Sequence, residues 1–310
     1  MAIVAIIGLV LLFKGGLTGR AIVAQSRPQF TPPPSPPPQP PAVAQGLPLA
    51  QNLFPSQSQP LPSTAQAPVA AVPGVSFTET FDTLIDGSII GQNGWQDLTQ
   101  SGSATGIQLS EAVTSTNAVS GTKSWNVQTA AVSVAPGGFI FHEARNVVPI
   151  SAPFTPHNIQ FSVTIRPETP PTPQEESIPR MFVQAQQGAV GVQSQASVAY
   201  NQVGLSLNFV GESVVDLSIP LNWNPNDVFQ FSAQATSVDG ITWQVHLEIF
   251  RNAASIGSQD QVVVLPVQLI MDGQAFFVIG NDVNVCLFCP PISNPYIQTT
   301  IDDFIGVVVP

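Results

Sequence analysis

The chain has 310 residues, of which 9% are charged and 44% are apolar, and it carries a net charge of −11. Nucleic acid is excluded as a partner, because phosphate binding needs clustered Lys and Arg and no basic cluster occurs. A surface this poor in charge must be built from Ser, Thr, Asn, Gln and Gly, the composition of an extracellular or virion β protein rather than of a cytoplasmic enzyme.

Residues 1–20 open with Ala2 to Phe13, "AIVAIIGLVLLF", followed by Lys14 and Arg20. At 1.5 Å per residue this run reaches about 18 Å, against roughly 30 Å of hydrocarbon. Extension to Leu17 requires Lys14 to snorkel. A signal peptide places its positive charge before the apolar run; here the charge follows it, and Ala24 lies far downstream for cleavage. Three readings stay open: an uncleaved membrane anchor, an atypical signal peptide, or an apolar helix packed in an assembly. The expected location is membrane-anchored, on an extracytoplasmic surface or in a virion. As an anchor, the segment would turn Lys14 and Arg20 to the positive side, which pulls the other way.

Residues 21–74 form a second region. Between Arg27 and Glu79 there is no charged residue, and 15 of the 31 prolines fall there, including "TPPPSPPPQPP". Proline fixes φ and removes the amide donor, so neither helix nor sheet forms. Polyproline II, at about 3.1 Å per residue, makes such a run a stiff spacer on the order of 100 Å long. A docking motif for an SH3-like partner fits less well, because no Arg or Lys flanks the proline core.

From Val75 to the end the pattern changes to period 2. Ile159, Phe161, Val163 and Ile165 share one face of "IQFSVTI"; Phe229, Phe231, Ala233 and Ala235 share one face of "VFQFSAQA". "ITWQVHLEIF" places Trp243, Val245, Leu247 and Ile249 together and turns His246 and Glu248 outward. About a dozen such runs alternate with turns such as "APGG", "NPND" and "VDG". No helical period is sustained. The domain of residues 75–310 is therefore all-β, and its size suits a two-sheet sandwich. "RPETPPTPQEESIPR" (Arg166 to Arg180) reads as a long exposed loop holding much of its charge.

The chemistry of most enzyme sites is missing. Cys286 and Cys289 form one C-x-x-C, where a zinc ribbon needs two, so they are a small loop disulfide or two free thiols. His142, His157 and His246 stand far apart in sequence. His142 and Glu143 are adjacent and point to opposite faces of a strand. There is no G-x-S-x-G and no phosphate-binding glycine loop.

"FTETFDTLIDGSIIGQNGW" resembles the opening of concanavalin A-like, laminin G-like jelly-roll domains, where a strand leads into a G-x-x-G-Q-N-G-W loop. "SGTKSWNV" (Ser120 to Val127), "ITWQVHLEIF" and the closing "TIDDFIGVVV" are similar to later strands of that family, in the same order. The resemblance covers residues 75–310. It implies that Gly87, Gly91 and Gly94 turn the chain from one sheet to the other, with Trp95 packed in the core. It also implies a structural calcium near the first and last strands, for which Asp82, Asp302 and Asp303 stand at matching positions; these carboxylates equally serve to cap turns. The family includes glycoside hydrolases, which need two carboxylates on one cleft. Here the long strand offers only Glu248.

Two functions follow. The first is a non-enzymatic, lectin-like adhesion module on a stalk, binding glycan or a surface receptor. Its expected contacts are Trp223, Tyr200 and Tyr296, aromatic residues in polar, loop-like settings, with Asn222 and Asn224 to bond sugar hydroxyls. The second is a structural virion protein, a spike or minor coat component held in a membrane or shell through residues 1–20 and packed against other copies of itself. Neither requires a cofactor. A glycoside hydrolase is the third alternative.

Overall fold

Alternating patterning produces eighteen strands among the residues that the computed structural model describes, which are 74–310 except 117, 170–172, 186–189 and 210–212. The chain divides into two units, Met1–Ala65 and Gln66–Pro310, and every described residue belongs to the second. Both the apolar segment 1–20 and the proline-rich arm, up to residue 73, lie outside the described residues. Among those described, no helix is long and apolar enough to cross a membrane.

The first strands are β1 (Val75–Glu79), β2 (Gln96–Asp97), β3 (Gln100–Thr105), β4 (Gln108–Thr114), β5 (Ser124–Ala130) and β6 (Ser133–Pro149). Next come β7 (Asn158–Pro167), β8 (Glu175–Ser177), β9 (Arg180–Ala185), β10 (Val190–Ala199), β11 (Gln202–Phe209) and β12 (Ser213–Pro220). The series ends with β13 (Phe229–Ser237), β14 (Thr242–Arg251), β15 (Ala254–Val264), β16 (Met271–Asn284), β17 (Ile292–Ser293) and β18 (Tyr296–Val309).

Eight strands form a first sheet in the order β15-β14-β13-β7-β18-β5-β4, with β1 also on β18. Ten form a second sheet, β12-β11-β10-β8-β16-β6-β17, with β9 between β10 and β16, and β2 and β3 on β6. Every described pairing is antiparallel. The result is an all-β sandwich of two antiparallel sheets, the arrangement a jelly roll requires. The three apolar faces read from the sequence on β7, β13 and β14 are all buried between the sheets. Opposite them lie Val203, Leu205, Leu207 and Phe209 of β11 and Ala275, Phe277 and Ile279 of β16. Each fully buried large apolar side chain stabilises by about 1.5–3 kcal/mol. A smaller cluster, including Ile140, Val283, Val285 and Ile297, packs beneath the loop that holds Cys286 and Cys289.

The segment from Thr80 to Trp95 carries the chain from β1 in the first sheet to β2 in the second, and its residues explain how. Gly91 and Gly94 have φ of 88° and 83°, as turns of this kind require. The Gln92 amide bridges the loop internally, accepting from the Ile85 amide at 2.7 Å and donating to the Ile85 and Ser88 carbonyls. Glu79 is 2% exposed and gathers three donors: the Phe81 amide (2.9 Å), Asn93 Nδ2 (2.9 Å) and the Trp95 indole N–H (3.2 Å). Glu111 of β4 makes a second clasp, accepting from the Ile89 amide at 3.0 Å and the Trp125 indole at 2.7 Å, and from the Ser88 hydroxyl. Trp95 is a core residue, edge-on to Phe77.

One expectation fails. The Arg166 to Arg180 segment is not simply an exposed charged loop: β8 inserts between β10 and β16, and Glu175, Ser177 and Arg180 are buried. Charge is tolerated there because it is paired. Glu175 accepts the Tyr296 amide at 2.9 Å, and Arg180 contacts Glu143.

Replacing Glu79 with Ala leaves buried indole and amide donors without an acceptor, an expected loss of about 1–3 kcal/mol per orphaned group. Denaturant unfolding followed by tryptophan fluorescence measures it; an unchanged midpoint contradicts the clasp.

Candidate functional site

The strand β18 is interrupted by a bulge between Asp302 and Ile305. Bulges re-aim side chains, and this one sends two consecutive aspartates to different tasks. Asp302 is fully buried, its Oδ2 accepting from the Ser120 amide (2.9 Å) and the Ser124 hydroxyl (2.6 Å). Burial pushes its carboxyl above the usual range, against those hydrogen bonds. Asp303 has φ of 47°, a left-handed conformation that Asp tolerates better than most residues. Its carboxylate lines a depression on the outer face of the first sheet and takes no hydrogen bond from any described residue.

That depression has a volume of about 360 Å³. Because Phe161, Val163, Ile165, Phe229 and Phe231 point inward, their neighbours Ser162, Thr164, Gln230 and Ser232 line its floor. Phe250 of β14 and Ile305 of β18 supply apolar walls. Hydroxyls, an amide and a carboxylate beside an aromatic ring match the two-sided chemistry of a sugar, polar at its edge and apolar on its face. Farther along β14, His246 sits between Asp260 (2.8 Å) and Glu248 (3.6 Å). The hydrogen bond to Asp260 holds its pKa above the ordinary imidazole value. Glu248 and Asp303 lie on strands three intervals apart in the sheet, which is about 14 Å between backbones.

The aromatic residues chosen from sequence divide. Trp223 donates its indole N–H to the Ala199 carbonyl at 3.2 Å, and the Leu221 amide donates to the Asn201 carbonyl at 3.0 Å. The 221–226 loop and the β10–β11 turn carrying Tyr200 are thereby joined. Trp223 is half-buried and edge-on to Phe229 at 6.5 Å, so its ring is a buttress to the core. Tyr200 is 51% exposed, and Asn222 and Asn224 are exposed beside it. The Asn226 amide bonds the Pro167 carbonyl, and Pro167 pairs with Thr299 near the start of β18. Val75 pairs with Val308 at its other end, so this loop end lies about 30 Å from the chain entry. Tyr296 is separate from that group, its hydroxyl bonded to Gln298 at 2.8 Å.

Asp82, proposed with Asp302 and Asp303 for calcium, accepts from the Thr122 amide (2.6 Å), the Thr122 hydroxyl (2.9 Å) and the Lys123 amide (2.9 Å). These bonds, the Thr122 amide first, hold its carboxyl below the usual range. Asp82 and Asp302 thus cap the 118–124 loop, the alternative role read from sequence. Among the described residues, no three His, Cys, Asp or Glu side chains are placed to share a metal. Cys286 and Cys289 form a disulfide, with Cα atoms 5.0 Å apart.

Sequence reasoning missed a charge group on the outer face of the second sheet. Arg180 of β9 contacts Glu143 of β6, with Asp282 of β16 at 3.8 Å, and its guanidinium lies over the Phe182 ring. Gly280 makes this reach available: it pairs with Glu143, and a Cβ there would lie 2.8 Å from Glu143 Cα and 3.0 Å from Glu143 Cγ. Gln193 and Gln195 of β10 share the same face.

No protein-family model matches the sequence, and neither does any curated protein. Among solved structures, the chain is similar to the endo-β-1,4-glucuronan lyase of the fungus Trichoderma reesei, with 14% identity over 76% of this chain and 95% of that one and a TM-score of 0.47. It is similar to the CBM2 module of the evolved Dit of Lactobacillus casei BL23 phage J-1, with 12% identity over 77% and 99% of the two chains and a TM-score of 0.37. It is also similar to the binding domain of botulinum neurotoxin DC in complex with SialylT, with 12% identity over 70% and 44% and a TM-score of 0.33.

Chelation with EDTA is expected to leave the thermal midpoint in place, because protein donors already serve Asp82 and Asp302. A midpoint lowered by EDTA and restored by calcium would contradict this. Gly280→Ala is expected to destabilise by about 1–3 kcal/mol through overpacking against β6, measured by urea unfolding; a neutral effect would show that Glu143 does not lie across β16.

Proposed function

We propose that the sandwich is a recognition module without catalysis, concanavalin A-like in fold and lectin-like in action, that binds glycan. In this reading the proline-rich arm, residues 21–74, holds it away from a membrane or particle shell engaged by residues 1–20. The observation that carries the proposal is the depression on the first sheet. Its Ser, Thr and Gln side chains bond sugar hydroxyls, Asp303 offers an unengaged acceptor, and Phe250 presents an apolar wall. Tyr200, Asn222 and Asn224 form a second exposed polar and aromatic group that a longer glycan or a receptor can meet.

A structural virion component is the second reading. One observation favours it: Leu287 and Phe288, 68% and 94% exposed, stand at the tip of the disulfide loop, apolar surface for a neighbouring copy.

The test is a glycan array probed with residues 75–310, followed by calorimetry on the best hit. Asp303→Asn and Phe250→Ala are each expected to weaken binding by about 1–3 kcal/mol, the range of a well-placed anchor, with the protein still folded. The ligand is expected to be recovered uncut. Absence of any glycan binding overturns the proposal in favour of the structural reading; shortened products, whether hydrolysed or unsaturated, overturn the non-catalytic part.

A further inference from the structure

On the flank of the sandwich, where β4 faces β2 and β6, lies a cleft of about 250 Å³, separate from the depression on the first sheet. Leu109 and Glu111 of β4, Trp125 of β5, Asp97 of β2 and His142 of β6 line it. Ile90 and Leu109, 38% and 37% exposed, flank its mouth.

His142 is only 6% exposed. Its Nδ1 lies 3.0 Å from the Gln128 carbonyl oxygen and 3.3 Å from the Thr129 hydroxyl. A carbonyl only accepts, so Nδ1 carries the hydrogen and Nε2 is left as an acceptor. Among the described residues nothing donates to Nε2. Burial holds the imidazole pKa below its ordinary value, against the Gln128 bond and the attraction of Glu111 and Asp97. The ring is therefore neutral near pH 7.

The remaining polar groups have the same sense. Glu111 is already engaged by the Ser88, Ile89 and Trp125 donors. Asp97 accepts from the side chain and amide of Thr99, which hold its carboxyl below the usual range. No Lys or Arg lines the cleft. The cleft thus offers a neutral imidazole acceptor and the Asp97 and Glu111 carboxylates with no cation among its lining residues, which favours a positively charged N–H donor. Among the described residues no three ligands are placed to share a metal, and the arrangement suits N–H donors.

We propose that this cleft binds a protonated primary amine on an aliphatic chain, with its N–H groups donated to His142 Nε2 and the Asp97 carboxylate and its methylenes along Leu109 and Ile90. The site stands independently of the glycan reading. Its pH dependence follows from the groups around the ring: Asp97 from β2, Glu111 from β4, the uncharged Gln128 and Thr129 from β5, and Glu143 of β6, which also lines the cleft and is paired with Arg180. Protonating His142 removes the acceptor and adds a like charge beside the ammonium. Binding is complete above the lowered pKa of His142 and fades as pH falls through it.

The test titrates the full chain at pH 7.5 with n-butylamine, n-butanol and tetramethylammonium, following the His142 ring by NMR and Trp125 by fluorescence. Saturable binding is expected for butylamine alone, at least fivefold weaker in Asp97→Asn and weakened again as pH is lowered through the titration of His142 that its ring shifts record. Asp97 is exposed, so its variant is expected to fold; thermal melting checks this, and the pH arm needs no variant. Equal responses to butylamine and butanol overturn the proposal, as does undiminished binding in folded Asp97→Asn. A parallel titration with Nα-acetyl-lysine-N-methylamide identifies the source: binding there assigns the site to a partner's lysine, and binding of butylamine alone to a free amine.

Discussion

Two carboxylates, Glu79 buried and Glu111 half-buried, hold the point where the chain changes sheets. Glu79 binds the Phe81 amide, Asn93 and the Trp95 indole; Glu111 binds the Ile89 amide, Ser88 and the Trp125 indole. Each takes donors from the Thr80–Trp95 crossing and from a tryptophan indole. A buried charge is tolerable only when its acceptor capacity is met, and here the same bonds that satisfy the carboxylates fix the path of the loop. Once that path is fixed, β1 lies on β18 and β2 on β6, and the two sheets close over one core.

The fold was legible because its signal is local and repeated. Inward residues at every second position of β7, β13 and β14 state which face is buried, and the Gly91 and Gly94 turns state where the chain crosses. What failed was legibility of pairing across long sequence separations. The Arg166 to Arg180 stretch reads as loop because its prolines and charges forbid an isolated strand. It becomes partly strand because Glu143 and Asp282, distant in sequence, surround Arg180.

The site was less legible, for a related reason. Trp223 sits in a polar sequence context that is indistinguishable from that of an exposed binding residue, yet its indole meets Ala199 and Phe229 in three dimensions. The family resemblance marks Asp303 as a calcium position, but its orientation depends on a bulge that the alternating pattern does not announce. Phe250 belongs to the outward register of β14, opposite Trp243 and its inward companions. Its partners in the depression come from β7, β13 and β18, spread over more than a hundred residues. A binding surface made from the solvent side of a sheet leaves only single polar residues between apolar ones, and these are the residues that sequence patterning assigns to plain solvation.

The central claim is that the outer face of the first sheet, organised by the Asp302–Asp303 bulge, is where a glycan is held intact. The most direct measurement is amide chemical-shift mapping of the domain with a bound oligosaccharide, with the ligand spectrum recorded in the same tube over hours. The account predicts shifts concentrated at Ser162, Thr164, Gln230, Ser232 and Asp303, with ligand signals unchanged in time. Shifts confined to the Arg180 and Gln195 face of the second sheet, or new ligand signals from cleaved product, would contradict it.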